Sequence, residues 1–129
     1  MSPEEMKQVA RRFLIDAWQG DFEALNETVS PEYRLGDMGF EGLKEIIKTL
    51  NQAMPDFKVE PKEMIAEGDT VAYSWIMTGT HLHDVEGFPV KAKGKPYKAT
   101  GITILHLRDG KIISDEFESS SPSPEQQLS

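Results

Sequence analysis

Hydrophobic positions recur at helical spacing through the first half of the chain and at a spacing of two through the second, with the change at Pro55. Met6, Val9, Ala10, Phe13, Leu14, Ala17 and Trp18 mark one face of a first helix. Its start is written in Ser2-Pro3-Glu4-Glu5, with Ser2 as N-cap, Pro3 in the first turn and Glu5 closing a capping box. Gly20 stops this helix, and Asp21 caps a second one carrying Phe22, Leu25 and Val29, which Ser30-Pro31 ends. Tyr33 to Leu35 reads as a short strand. The loop Gly36-Asp37-Met38-Gly39 leads into a third helix with Leu43, Ile46, Ile47, Leu50 and Met54 on one side.

Beyond Pro55 the alternation predicts strands. Phe57 to Ala66 is the first, and Pro61 assigns it to an edge or a bulge because proline cannot donate to a ladder. Thr70 to Thr80 places Val71, Tyr73, Trp75 and Met77 on one face and Ala72, Ser74, Ile76 and Thr78 on the other. His81 to Pro96 reads as a loop with a short strand at Val90 to Ala92, and its Lys91, Lys93, Lys95 and Lys98 as a solvated basic run. Tyr97 to Leu107 and Lys111 to Glu118 form a hairpin through Asp109-Gly110. Regular pairing from that turn sets Ile104 opposite Asp115 and Ile102 opposite Phe117. Ser119 to Ser129, rich in Ser, Pro and Gln, is expected to be a disordered tail. The fold class is therefore α+β: three N-terminal helices packed on an antiparallel sheet, one domain over residues 1–118.

Composition narrows the partners. A formal net charge of −8 repels phosphate backbones and anionic lipid, so neither nucleic acid nor a membrane is expected. With no cysteine there is no disulfide, thiolate nucleophile or cysteine-bound zinc. The N-terminus shows no basic-plus-apolar signal, which points to a cytoplasmic protein. His81-Leu82-His83-Asp84 has chelating residue types, but nothing in the sequence places a fourth ligand beside them. No metal and no cofactor are expected.

The order of elements resembles the nuclear transport factor 2-like superfamily. Several stretches are similar to its SnoaL-like polyketide cyclase (ester cyclase) family: Val9-Ala10-Arg11-Arg12-Phe13, the run from Trp18-Gln19-Gly20-Asp21 to Leu25, and Phe40-Glu41-Gly42-Leu43-Lys44. Met54-Pro55-Asp56-Phe57, Ala66-Glu67-Gly68-Asp69-Thr70-Val71, Thr78-Gly79-Thr80-His81 and Asp109-Gly110-Lys111-Ile112 extend the likeness to about Glu118. The resemblance implies a sheet curved into a cone around a pocket for a small apolar molecule. It also implies general acid–base chemistry on a polyketide-like or ester carbonyl compound, and a homodimer paired through the sheets, with Ile76, Leu105 and Leu107 outward. The family carries its acid on the last strand, in a segment reading Glu-His-Trp-Asp. Here that segment is Ser114-Asp115-Glu116-Phe117, so Phe117 stands at the acid and Asp115 at the histidine. Gly36-Asp37-Met38 keeps the aspartate of the family's His-Asp-Pro loop, and His81 matches the histidine of its Gly-Thr-His stretch.

These positions define the candidate site. A carboxylate in a dry pocket has its pKa raised and can take and return a proton near neutral pH. Asp115 is the expected proton-transfer residue, His81 its polar partner and Asp37 a third catalytic group. Phe13, Trp18, Tyr33, Tyr73, Trp75 and Phe117 are the expected substrate-binding wall. A ketosteroid isomerase-like site would combine Tyr33 or Tyr73 with Asp37 and Asp115. An epoxide hydrolase-like site would bridge two aspartates through Arg34. A third reading is a ligand-binding or dimerisation module without chemistry.

Overall fold

A computed structural model describes residues 1–129. Helix α1 (Pro3–Arg11) starts as the sequence demands: the Glu5 N–H donates to Ser2 Oγ at 3.1 Å and the Ser2 N–H donates to the Glu5 carboxylate at 3.0 Å. The segment then widens into a π turn over Arg12–Asp16 and tightens into a 3-10 turn over Ala17–Gln19, stopped by Gly20 at φ 98°. Asp21 accepts from the Ala24 N–H and opens α2 (Phe22–Thr28). Val29, expected inside that helix, instead begins β1 (Val29–Arg34), which runs through Ser30-Pro31. Leu35 then pairs with Met38 across a tight turn, and α3 (Phe40–Ala53) follows.

The remaining strands are β2 (Lys58–Glu67), β3 (Thr70–Thr80), β4 (Pro96–Arg108) and β5 (Lys111–Glu118). They form one five-stranded sheet in the order β1-β5-β4-β3-β2. The expected all-antiparallel sheet is corrected at one edge, because β1 lies parallel to β5. β2 is the other edge, with its irregularity between Pro61 and Met64 where proline had placed it. No strand forms at Val90 to Ala92, and the lysine-rich loop stays irregular.

Alternation on β3 and β4 sorts the residues as a half-buried sheet requires. Val71, Tyr73 and Trp75 turn inward with Tyr97, Ala99, Thr103, Leu105 and Leu107. Leu105 and Leu107, expected outside, are thus core. β5 breaks the alternation. Leu107 pairs with Ile112 and His106 with Ser114, leaving Ile113 as an extra residue in a bulge. Beyond it Leu105, not Ile104, faces Asp115, and Thr103, not Ile102, faces Phe117. One inserted residue carries every later side chain to the other face. Asp115 therefore joins Ile112 on the concave side.

The tail is also corrected. β5 pairs with β4 only as far as Ile102, so the first half of β4 has an open edge that must find hydrogen-bond partners. The C-terminal segment supplies them. The Thr100 N–H donates to Ser121 Oγ at 2.9 Å, the Lys98 N–H to Gln127 Oε1 at 2.9 Å, and Gln127 Nε2 to the Lys98 carbonyl at 2.8 Å. Helix α4 (Pro124–Leu128), capped by Ser123, then buries Leu128 completely in the core. The Ser and Gln side chains that read as disorder here act as an improvised strand.

Candidate functional site

Between the concave sheet and the helices lies a cavity of about 390 Å³. The long helical segment contributes Leu14 and Trp18, and α3 contributes Ile46 and Leu50, which are four residues apart and so share a face. The sheet contributes Tyr33, Tyr73, Trp75, Thr103, Asp115 and Phe117. Asp115 is the one charged residue on this wall. A second, more open groove of about 500 Å³ lies on the convex face between Ile76, Ile102 and Ser119. It holds no buried titratable group, so the chemistry of interest is inside.

Asp115 is 8% exposed. Its Oδ2 accepts from the Tyr33 hydroxyl at 3.4 Å, long for an O–H···O bond, and its buried Oδ1 has no partner. Burial raises the carboxyl from its usual 3.8 to about 6, with the Tyr33 bond pulling the other way. Tyr33 is pushed far above the ordinary phenol range by burial and then by the Asp115 charge. Tyr73 is pushed well above it by burial and then by the Asp115 charge, with a Thr103 hydroxyl contact pulling the other way. Both tyrosines consequently stay protonated as donors while Asp115 titrates near neutrality. Across the cavity wall Trp75 Nε1–H donates to Thr103 Oγ1 at 2.8 Å.

Of the residues expected from sequence, Asp115, Trp18, Tyr33, Tyr73, Trp75 and Phe117 meet in this cavity. Phe117 is 53% exposed and stands toward the opening. Phe13 is fully buried behind the wall, edge-on to Trp18 with ring centroids 6.3 Å apart, and so supports the site without lining it. Asp37 is exposed at the tip of the Leu35–Met38 turn, outside the cavity. His81 is fully buried but elsewhere, under the loop that follows β3. Its ring packs edge-on to Phe88 at 4.5 Å with neither ring nitrogen hydrogen-bonded, while its backbone N–H donates to the Lys95 carbonyl and its backbone carbonyl accepts from the Gly94 N–H. It is no partner for Asp115; that place is taken by Tyr33. His83 is exposed and Asp84 accepts from the Ala92 N–H, so the His81-Leu82-His83-Asp84 run is spent on loop structure. Arg34 is likewise exposed, and the arginine-bridged aspartate pair does not assemble.

Thr103 is the polar group that the sequence reading missed. Its signal was its parity with Leu105 and Leu107 on β4, which becomes readable as inward only once Leu105 is known to be core.

A helix-backed mixed sheet curved around one apolar cavity is the nuclear transport factor 2-like fold, and the chain belongs to the SnoaL-like polyketide cyclase family, whose profile matches residues 8–122. TsrD from Streptomyces laurentii shares the fold with a TM-score of 0.85 at 22% identity, over 99% of this chain and 97% of that one. A candidate polyketide cyclase from Acidithiobacillus ferrooxidans is 29% identical over 99% of this chain and 97% of that one, with a TM-score of 0.78. Another from Bacillus cereus is 27% identical over 96% and 80%, with a TM-score of 0.72. No curated protein matches the sequence. No helix is long and apolar enough to cross a membrane.

Proposed function

We propose that the protein catalyses proton transfer on a small, neutral, apolar carbonyl compound held in the inner cavity, with Asp115 as the general base. One observation carries this reading: a buried carboxylate with a free oxygen on an otherwise uncharged wall, its pKa raised to about 6. Such a group is ionised often enough at neutral pH to accept a proton and basic enough to hold it. An anionic substrate would face Asp115 with no lysine or arginine on the wall to offset it. The balanced step is simple. Asp115 takes the proton from the carbon beside a carbonyl, the C–H electrons move onto the carbonyl oxygen, and the proton returns to carbon from the carboxyl group. Tyr33 holds the other carboxylate oxygen and orients the base. Aldol closure of a polyketide-like chain and ketone isomerisation both begin with this step.

The test is deuterium exchange into 1-tetralone, a neutral bicyclic ketone, followed by proton NMR. Exchange should be accelerated by the wild-type protein and should rise as pH passes about 6. Asp115→Asn should lower the rate by about 100-fold or more. Exchange equal in the two proteins overturns the assignment.

We further propose a homodimer paired through the convex face. The residues that support it differ from those expected, since Leu105 and Leu107 are core. Ile65 and Ile102, 71% and 60% exposed, and Ile104 carry the outer apolar surface with Ile76.

A further inference from the structure

Indole N–H can only donate, so the bond from Trp75 Nε1 to Thr103 Oγ1 fixes the direction of that contact. The threonine oxygen accepts, and its own hydroxyl proton must point elsewhere. The Tyr73 hydroxyl on the paired strand is close enough to exchange a hydrogen bond with it. Thr103 is 4% exposed, and its side chain lines the cavity. Its cross-strand partner Tyr73 also lines the cavity, so the two hydroxyls stand side by side on one wall.

Thr103 also stands in a definite relation to the base. Leu105 pairs directly with Asp115, and Thr103 lies two residues back along β4 on the same face. Asp115 and Thr103 are thus diagonal neighbours, which places their backbones roughly 7–8 Å apart. A carbonyl oxygen and the carbon beside it are joined through one shared atom and fit across such a gap.

We infer that Thr103 is a catalytic residue of the proposed reaction, its hydroxyl donating to the substrate carbonyl oxygen as enolate charge develops there, and that Trp75 is the residue that orients it. The inference rests on the proton-transfer reading of the same cavity and adds the second half of the site. When Asp115 removes the carbon-bound proton, the electron pair settles on the carbonyl oxygen. Thr103 keeps its proton and strengthens its hydrogen bond to that oxygen. Donors aimed at developing charge in a dry site are among the largest catalytic effects. Swapping Thr103 for valine conserves shape and removes the donor, while leaving the Trp75 N–H unsatisfied. Swapping it for serine restores the hydroxyl.

The experiment is infrared spectroscopy of carbonyl-labelled 1-tetralone bound to each protein, run beside the exchange assay. In the wild type the carbonyl stretch should move to lower frequency than in an apolar solvent. Thr103→Val should abolish the move and Thr103→Ser should restore it. Trp75→Phe should weaken it, because the hydroxyl is then free to turn. Thr103→Val should also slow exchange by about 100-fold through kcat, with KM little changed. Circular dichroism melting confirms that each variant is folded, and the serine variant separates a chemical loss from a packing one. A shifted carbonyl that depends on Thr103, with no exchange in any protein, removes Asp115 as base and leaves the donor in place. Exchange that depends on Asp115, with a carbonyl stretch unmoved by Thr103→Val, overturns the donor and leaves the base. A stretch that responds to Tyr73→Phe and not to Thr103→Val assigns the role to Tyr73 and overturns the inference, as does a bound carbonyl that shows no shift in the wild type.

Discussion

At Asp115 catalysis and stability pull in opposite directions. Its folded pKa of about 6 lies above the usual 3.8, so the folded state holds the proton more tightly than the unfolded chain. Below about pH 4 the group is neutral in both states and has no cost. As pH rises from about 4 through about 6 the unfolded chain ionises first, and folding loses free energy. Above about 6 the loss is constant at about 3 kcal/mol. Asp115→Asn removes this dependence. Relative to wild type, the variant should gain about 2–3 kcal/mol of stability between pH 4 and pH 7.5, read from urea unfolding at both values. Parallel pH profiles for the two proteins would show that the carboxylate is hydrated and the raised pKa wrong. The same substitution should destroy proton exchange, so the most stabilising change at the site is also the most damaging to the chemistry.

Elements decide which residues reach the cavity, and here the sequence is readable in some places and silent in others. The helices are legible because capping and spacing are local signals: Ser2, Glu5, Gly20 and Asp21 do what their side chains dictate. The aromatic wall from β3 is legible for the same reason, since strict alternation puts Tyr73 and Trp75 on one face. The bulge at Ile113 is not, because no residue in Lys111-Ile112-Ile113-Ser114 marks it. It appears only when the ladder has to bring Ile112 and Asp115 to one face. Asp115 is thus where it was expected for a reason the alternation does not contain. His81 fails in the opposite way: its parity predicts an inward side chain, and it is inward, but past the end of the pairing and beneath its own loop.

The tail gives a test at the same scale. If α4 is part of the core, Leu128→Ala should cost about 2–4 kcal/mol in urea unfolding, the range for a buried leucine, whereas a disordered tail would register nothing. Gly101 tests the partition between the inner cavity and the outer groove. A Cβ there would strike the Trp75 ring and come within 2.7 Å of the Glu118 carbonyl. Gly101→Ala should cost about 1–3 kcal/mol and displace Trp75, weakening 1-tetralone binding as followed by tryptophan fluorescence. Binding equal to wild type would mean that the ring has room to move without disturbing the site.

For the whole molecule the open question is what covers the convex face. Ile65, Ala72 and Ile104 lie in one row across β2, β3 and β4, and Ile102 and Ile76 extend the apolar surface along the sheet. Isoleucines clustered on an exposed sheet are a surface that usually finds a partner. A second copy supplies the same pattern by two-fold symmetry. The charge argues against random association: each chain carries −8, so two copies repel until a matched apolar contact outweighs that repulsion. Salt then becomes diagnostic. An apolar interface between like-charged chains should tighten as ionic strength rises from 20 to 300 mM (round values spanning Debye lengths of about 20 Å down to about 6 Å), whereas an interface built on ion pairs should loosen. Light scattering at micromolar concentration should give a particle of twice 14.5 kDa. A face buried to more than about 1,000 Å² is required for that stability. Ile65→Lys with Ile102→Lys should return the monomer, and because both side chains point away from the cavity, 1-tetralone binding should survive. A wild-type particle of 14.5 kDa at every salt concentration would leave the convex face uncovered and sink the dimer.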